Sequence, residues 1–286
     1  MSVKTLSLIG ATVILVAIGG VVSLKHVHKA KPAGAARTGL VVALGDSVAA
    51  GYGLETDADA SACGRTQESY PKLVADSLGH NLTSYACSGA QTSVGVLSSQ
   101  TVNQLAETPQ LAALLAGPRP SVVTVTTGAN DIGWTQLLAT CYTAVCGTPS
   151  DTAITARNIS TASGNLGSVV AQIKSHYGSS VPIVVTGYYR VFPQTNPGCS
   201  DLTGIDNNEL AWFSAREDDL NAALAQAAVA AGAQFAAIDF SGHELCSGSS
   251  WIQGVGATGA YHPTDQGQQA IAKSVESALK TASASH

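Results

Sequence analysis

Residues 40–53 read LVVALGDSVAAGYG, and the junction inside them decides the architecture. Residues 40–44 are apolar without a break, which is how a strand covered on both faces reads; a half-exposed strand would alternate. The run stops at Gly45-Asp-Ser47, residue types that suit a turn. A buried strand ending on a hydroxyl poses the central question of the sequence: Ser47 is either a turn residue or a nucleophile.

Outward from this junction the pattern alternates. Helical spacing over 67–78 is followed by a second strand at 81–86, and a helix over 105–115 by a β-branched strand at 121–127. A long helix over 152–177 precedes a strand at 181–186, an Ala-rich helix over 207–231 a fifth strand at 234–239, and the last helix spans 264–280. Strands of buried type alternating with helices predict an α/β fold with a mostly parallel sheet covered on both faces. Residues 39–286 read as one domain. The stretches 133–150, 188–206 and 240–263 read as irregular, and connections this long tend to be functional or cross-linked.

Composition narrows the function. With 45% hydrophobic and 12% charged residues the chain is far from the disordered class. A net charge of −5 with 14 Lys and Arg leaves no basic footprint for nucleic acid. Residues 5–24 carry no charge and are followed by Lys25, Lys29 and Lys31. That run is long enough to span a bilayer, and the nearest small-residue cleavage pattern, Ala33-Gly-Ala35, stands beyond the lysines; residues 1–38 are therefore expected to be an uncleaved anchor with its linker, a cleaved signal being the alternative. Counting Lys and Arg would leave the domain in the cytoplasm. The six cysteines point the other way: none has C-x-x-C metal spacing, and an even set in an exported-looking chain reads as three disulfides. Of the fifteen connectivities six cysteines allow, the sequential one (Cys63–Cys87, Cys141–Cys146, Cys199–Cys246) closes the shortest loops and is the expected one. The domain is placed outside the cytoplasmic membrane, as a monomer.

In parallel sheets ligands bind beyond the carboxyl ends of the strands. Asp46 and Ser47 follow the first strand, Cys87-Ser-Gly89 the second, Gly128-Ala-Asn-Asp131 the third, and Tyr261-His-Pro263 precedes the last helix. A hydroxyl, a glycine N–H, an amide and an imidazole on one edge are what acyl transfer needs: a nucleophile, a base to remove its proton, and donors where an oxyanion forms. The chemistry needs no cofactor, and this set lacks the carboxylate and histidine cluster of a metal site.

The four segments, taken in order, resemble the conserved blocks of the SGNH (GDSL-type) hydrolases, and the Cys63-Gly-Arg65…Tyr70-Pro71 and Gly242-His-Glu-Leu-Cys246…Trp251 features resemble its secreted, disulfide-bonded actinobacterial esterases and lipases. The resemblance implies a three-layer, flavodoxin-like α/β/α fold with a five-stranded sheet. It implies Ser47 as nucleophile, His262 as base, and an oxyanion hole from the Ser47 N–H, the Gly89 N–H and Asn130. The implied activity is carboxylic ester hydrolysis of a small-molecule or lipid ester. An acyltransferase or deacetylase acting on envelope glycolipid or polysaccharide, and a non-catalytic binding module, are the alternatives. No G-x-S-x-G occurs, which sets the ordinary α/β-hydrolase fold aside.

One departure matters. Much of this family carries an Asp three residues before the histidine, where this chain has Gly259. The expectation is a Ser47–His262 dyad with the Gly259 backbone carbonyl orienting the imidazole; Asp239 is the alternative acid. Asp46 and Asp131 read as loop-holding acceptors, Asp265 as a helix cap and His243 as a loop residue. Trp134, Tyr188, Tyr189, Val191, Phe192 and Trp251 are candidates for an acyl pocket.

Overall fold

The computed structural model describes residues 37–54 and 62–284. The expected anchor or signal over 5–24 lies outside the described residues. In chain order the elements are β1 (Gly39–Gly45), α1 (Ser47–Ala50), α2 (Tyr70–Ser77), β2 (His80–Ser84), β3 (Gln100–Val102), β4 (Leu105–Glu107), α3 (Gln110–Ala116), β5 (Val122–Thr126), α4 (Trp134–Thr143), α5 (Pro149–Tyr177), β6 (Ile183–Thr186), α6 (Asn207–Ala230), β7 (Gln234–Ala236) and α7 (Asp265–Ala284).

The continuous apolar runs make the middle of the sheet. β1, β5 and β6 are buried along nearly their whole length, whereas the edge strand β2, sequence HNLTS, is only partly covered. Sheet order is β2-β1-β5-β6-β7, every pairing parallel, with Val41 opposite both Leu82 and Val122. Burying a Val or Leu side chain is worth about 1.5–3 kcal/mol, and Val41, Leu44, Val123, Val125, Val184 and Val185 supply the core of that gain. One set of helices, α2 and α7, packs together against β1, β6 and β7; the other, α3, α5 and α6, forms the opposing layer. The result is a three-layer α/β/α fold.

Because the strands are parallel, β1, β2 and β5 all end on the same edge of the sheet. Gly45 makes the exit from β1 possible: its φ is +142°, and a Cβ there would stand 2.2 Å from the Thr126 carbonyl oxygen. Gln110 braces this exit, accepting from the Gly45 N–H at 2.7 Å and donating to its carbonyl at 2.9 Å.

Three expectations are corrected. The helix expected over 105–115 starts only at Gln110; Leu105–Glu107 instead pairs antiparallel with Gln100–Val102. The two residues between, Asn103 and Gln104, have φ of 50° and 67°, the paired positive values of a tight hairpin turn, and Pro109 disfavours helix before it. The stretch 133–150 is not irregular but contains α4, whose Thr, Cys and Tyr are weak helix formers held by tertiary contacts. The fifth strand stops at Ala236, leaving Asp239 outside the sheet.

The six cysteines pair Cys63–Cys87, Cys141–Cys146 and Cys199–Cys246. Among the described residues no helix is long and apolar enough to cross a membrane.

Candidate active site

Ser47 is the first residue of α1, and Asp46 is the cap of that helix, its Oδ1 accepting the Val48 N–H at 2.9 Å. From the far end of the chain, the turn before α7 brings His262 Nε2 to 2.7 Å from Ser47 Oγ. The other ring nitrogen, Nδ1, lies 3.0 Å from the Ala260 carbonyl oxygen. A carbonyl can only accept, so the ring proton belongs on Nδ1 and the Nε2 lone pair faces the serine hydroxyl. Burial lowers the His262 pKa below its ordinary 6.5, and the carbonyls of Ala260 and Gly259 work against that shift. The imidazole is thus neutral near pH 7, the form that can take a proton. Its ring also meets Tyr52 edge-on, centroids 5.2 Å apart.

The hydrogen bond to Nδ1 comes from the Ala260 carbonyl, one residue from the expected Gly259, whose own carbonyl accepts the His262 backbone N–H at 2.9 Å and also favours the protonated ring. The turn that closes 259 onto 262, with Tyr261 at φ +66°, folds the imidazole back over the Ala260 oxygen. Asp239 is exposed and accepts from the Ser241 N–H at 2.8 Å and its hydroxyl at 2.5 Å; those bonds hold its carboxyl below the usual range, and it makes no contact with the ring. An acid at position 259 would also have to displace its neighbours. A Cβ on Gly259 would stand 2.6 Å from Gln253 Nε2 and 2.8 Å from Gly53 Cα.

Gly89 sits at φ +79° in the loop after β2, and among the described residues neither its N–H nor that of Ser47 donates to a backbone carbonyl. The Cys63–Cys87 disulfide staples this loop, and the Ser88 N–H and hydroxyl donate to the Cys63 carbonyl at 3.0 and 2.8 Å. Asn130 Nδ2 donates to the Ala90 carbonyl at 3.0 Å while Gln91 Nε2 donates to the Asn130 carbonyl at 3.2 Å, so the two donor loops are cross-braced. One amide hydrogen of Asn130 is left for a ligand. Asp131 accepts from the Thr92 N–H and hydroxyl, and Asp46 from the Tyr188 hydroxyl, so both acids hold loops, as expected. Burial raises the Asp46 pKa to about 7 against the pull of Tyr188. His243 stacks on Trp251 at 3.7 Å with Nδ1 toward the Ser249 carbonyl, away from this chemistry.

Residues 43–270 match the GDSL-like Lipase/Acylhydrolase family. The chain belongs to that family. It is 33% identical over 236 residues to a lipase of Streptomyces rimosus, spanning 79% of this chain and 81% of that one. The crystal structure of an extracellular lipase from Streptomyces rimosus superposes with a TM-score of 0.69 at 30% identity, covering 84% of this chain and 100% of that one. The phospholipase A1 of Streptomyces albidoflavus gives 0.65 at 31%, covering 84% and 99%. The protein is a carboxylic ester hydrolase.

In this GDSL-type enzyme Ser47, Asn130 and His262 open onto one cavity of about 380 Å³; Gly89 is not part of its wall. Of the six candidates for an acyl pocket, Trp134, Tyr188, Tyr189 and Val191 line it. Phe192 stands behind, stacked on Trp134 at 6.2 Å, and Trp251 packs on His243 and Phe240. Sequence reasoning missed Leu138, Ala139 and Tyr142 because α4 went unread, and Glu217 and Leu220 because α6 reads as an Ala-rich helix with no marked face. The W-x-x-x-L-x-x-x-Y spacing of 134, 138 and 142, one helix face, was the available signal.

Proposed function

We propose that the ester is cleaved through an acyl-enzyme at Ser47, with His262 as general base and then general acid. The observation that carries this is the 2.7 Å approach of Ser47 Oγ to His262 Nε2, with the other ring nitrogen turned to a carbonyl. Ser47 Oγ bonds to the ester carbonyl carbon as its proton passes to Nε2. The C=O electron pair moves onto oxygen, where the N–H groups of Ser47 and Gly89 and the Asn130 side chain meet the charge; loss of one such donor typically costs about 10²–10³-fold in kcat. Collapse breaks the bond to the alcohol, which leaves with the proton from Nε2. Water then gives a proton to Nε2 and its oxygen to the acyl carbon, and Ser47 departs with that proton restored.

Among the described residues no carboxylate hydrogen-bonds the His262 ring; its Nδ1 meets the Ala260 carbonyl. The Ala260 carbonyl keeps the productive tautomer, the property whose loss costs about 10⁴-fold in serine proteases, but its partial charge stabilises the imidazolium less. The apolar cavity walls at Trp134, Leu138, Val191 and Leu220 suit an acyl chain, and the likeness to a phospholipase A1 supports a lipid ester as substrate. Three disulfides support an extracytoplasmic setting, to which the uncharged run over 5–24 would direct the chain.

Ser47→Ala tests the proposal. Hydrolysis of chromogenic acyl esters should fall at least about 10³-fold with folding unchanged, and a fluorophosphonate should add its mass to the wild type and not to the variant. Activity surviving in Ser47→Ala would overturn it.

A further inference from the structure

The group that orients the catalytic imidazole is a backbone carbonyl two residues upstream, so the path of the chain through 260–262 sets the geometry of the dyad. The residue between, Tyr261, has φ +66°. A bulky side chain avoids that left-handed region, and such a conformation persists only where its surroundings over-determine it.

Three contacts from separate segments hold it. The Tyr261 N–H donates to the Gln253 carbonyl at 2.9 Å. The Tyr189 hydroxyl donates to the Tyr261 carbonyl at 2.8 Å. The Tyr261 hydroxyl donates to the Tyr142 hydroxyl at 2.8 Å, which donates in turn to the Asp201 carbonyl. Asp201 reaches the same loop a second time, its carboxylate accepting the Val255 N–H at 3.3 Å. Tyr142 belongs to α4, the helix that also presents Trp134, Leu138 and Ala139 to the cavity.

We infer that Tyr142 is a positioning residue for His262: through the hydroxyl of Tyr261 it holds the strained 260–262 backbone that aims the imidazole at Ser47, and it ties that aim to the helix forming the cavity wall. The inference rests on the Ser47–His262 reading above. When the hydroxyl bond is lost, Tyr261 can relax toward ordinary backbone angles, the Ala260 oxygen leaves Nδ1, and a smaller fraction of molecules holds Nε2 on the serine. Tyr142 and Tyr261 also line the cavity; Tyr to Phe keeps their rings in its wall, so the loss should fall on kcat more than on KM.

The experiment is a double-variant cycle with Tyr142→Phe, Tyr261→Phe and the pair, their rates normalised to fluorophosphonate-titrated sites so that partial unfolding does not enter, with Ser47→Ala and His262→Ala assayed alongside per mole of folded protein. A neutral hydrogen bond is worth about fivefold in an equilibrium. Each single variant should therefore lose about fivefold in kcat with KM within about twofold, and the double variant should lose no more than the worse single one. The acid limb of the kcat/KM profile should move to lower pH in all three, because the Ala260 carbonyl favours the protonated imidazole; a residue that only braces the fold would leave that limb in place. Wild-type kcat in the single variants, losses that multiply in the pair, or an unmoved acid limb would overturn the inference while leaving the dyad intact. Activity surviving in Ser47→Ala and His262→Ala would instead remove the reading beneath it.

Discussion

Gly259 is where the chemistry and the packing of this site meet. A carboxylate there would be electrostatically welcome to an imidazolium, yet the backbone of Gly53 and the amide of Gln253 occupy the space a Cβ would need. Gly259→Asp is therefore expected to lower activity rather than raise it, and to destabilise the fold by about 1–3 kcal/mol through overpacking. Thermal unfolding and kcat/KM of the variant check this; a gain in turnover would show that the turn can open to admit the acid. The histidine carries a second expectation. Its pKa is lowered by burial, so the acid limb of kcat/KM should fall below 6.5, with activity present above it and lost as the pH drops through the lowered value. Rates measured from pH 4 to 8 locate that limb.

At the scale of elements, α4 is the part most dependent on its context. Weak helix formers fill it, and the Cys141–Cys146 disulfide ties its last turn to the loop beyond. Cys146 in turn donates its N–H to Glu209 Oε1 at 3.1 Å, anchoring that loop on α6. Closing so short a loop is worth about 2 kcal/mol in chain entropy. Replacing both cysteines by serine should cost about that much stability and fray the cavity wall. Esters with long acyl chains should then lose more of their kcat/KM than acetyl esters, and an equal loss across chain lengths would place α4 outside acyl recognition. β1 and β5 behave oppositely: their apolar runs are strands wherever a sheet can cover them, which is why they were legible from residues 40–44 and 121–127 alone.

At the scale of the whole molecule, Asp46 and Glu217 are buried carboxyl groups to which the proposed reaction gives no acid role. Burial raises Asp46 to about 7 and Glu217 to about 8. Glu217 accepts the Val191 N–H at 3.1 Å through Oε1, while Oε2 has no hydrogen-bond partner and stands 3.7 Å from Arg190 Nη1. Each group holds its proton more tightly in the folded chain than in the unfolded one. Their contribution to stability is complete below the unfolded values of 3.8 and 4.5 and is lost as the pH rises through about 7 to 8. The melting temperature of the wild type should thus decline from pH 5 to 9. Glu217→Gln keeps the acceptor for Val191 without the titration and should flatten that decline, a difference scanning calorimetry at several pH values would register; identical slopes would mean Glu217 is ionised at little cost.

The sequence by itself determined the parallel sheet, its three buried strands, the segments that carry Ser47, Gly89, Asn130 and His262, and the family, because these rest on local signals: apolar runs, turn residues and short motifs. The 105–115 stretch misled because a positive-φ hairpin turn at Asn103-Gln104 leaves no mark on apolar spacing. What only the tertiary structure decided is relational. Which carbonyl faces Nδ1, why a side chain is crowded at 259, and what holds Tyr261 in a left-handed conformation all depend on atoms from Gly53, Gln253, Tyr189 and Tyr142 arriving within a few ångströms. Chain-distant approaches of that kind are fixed by packing, and packing is a property of the folded whole.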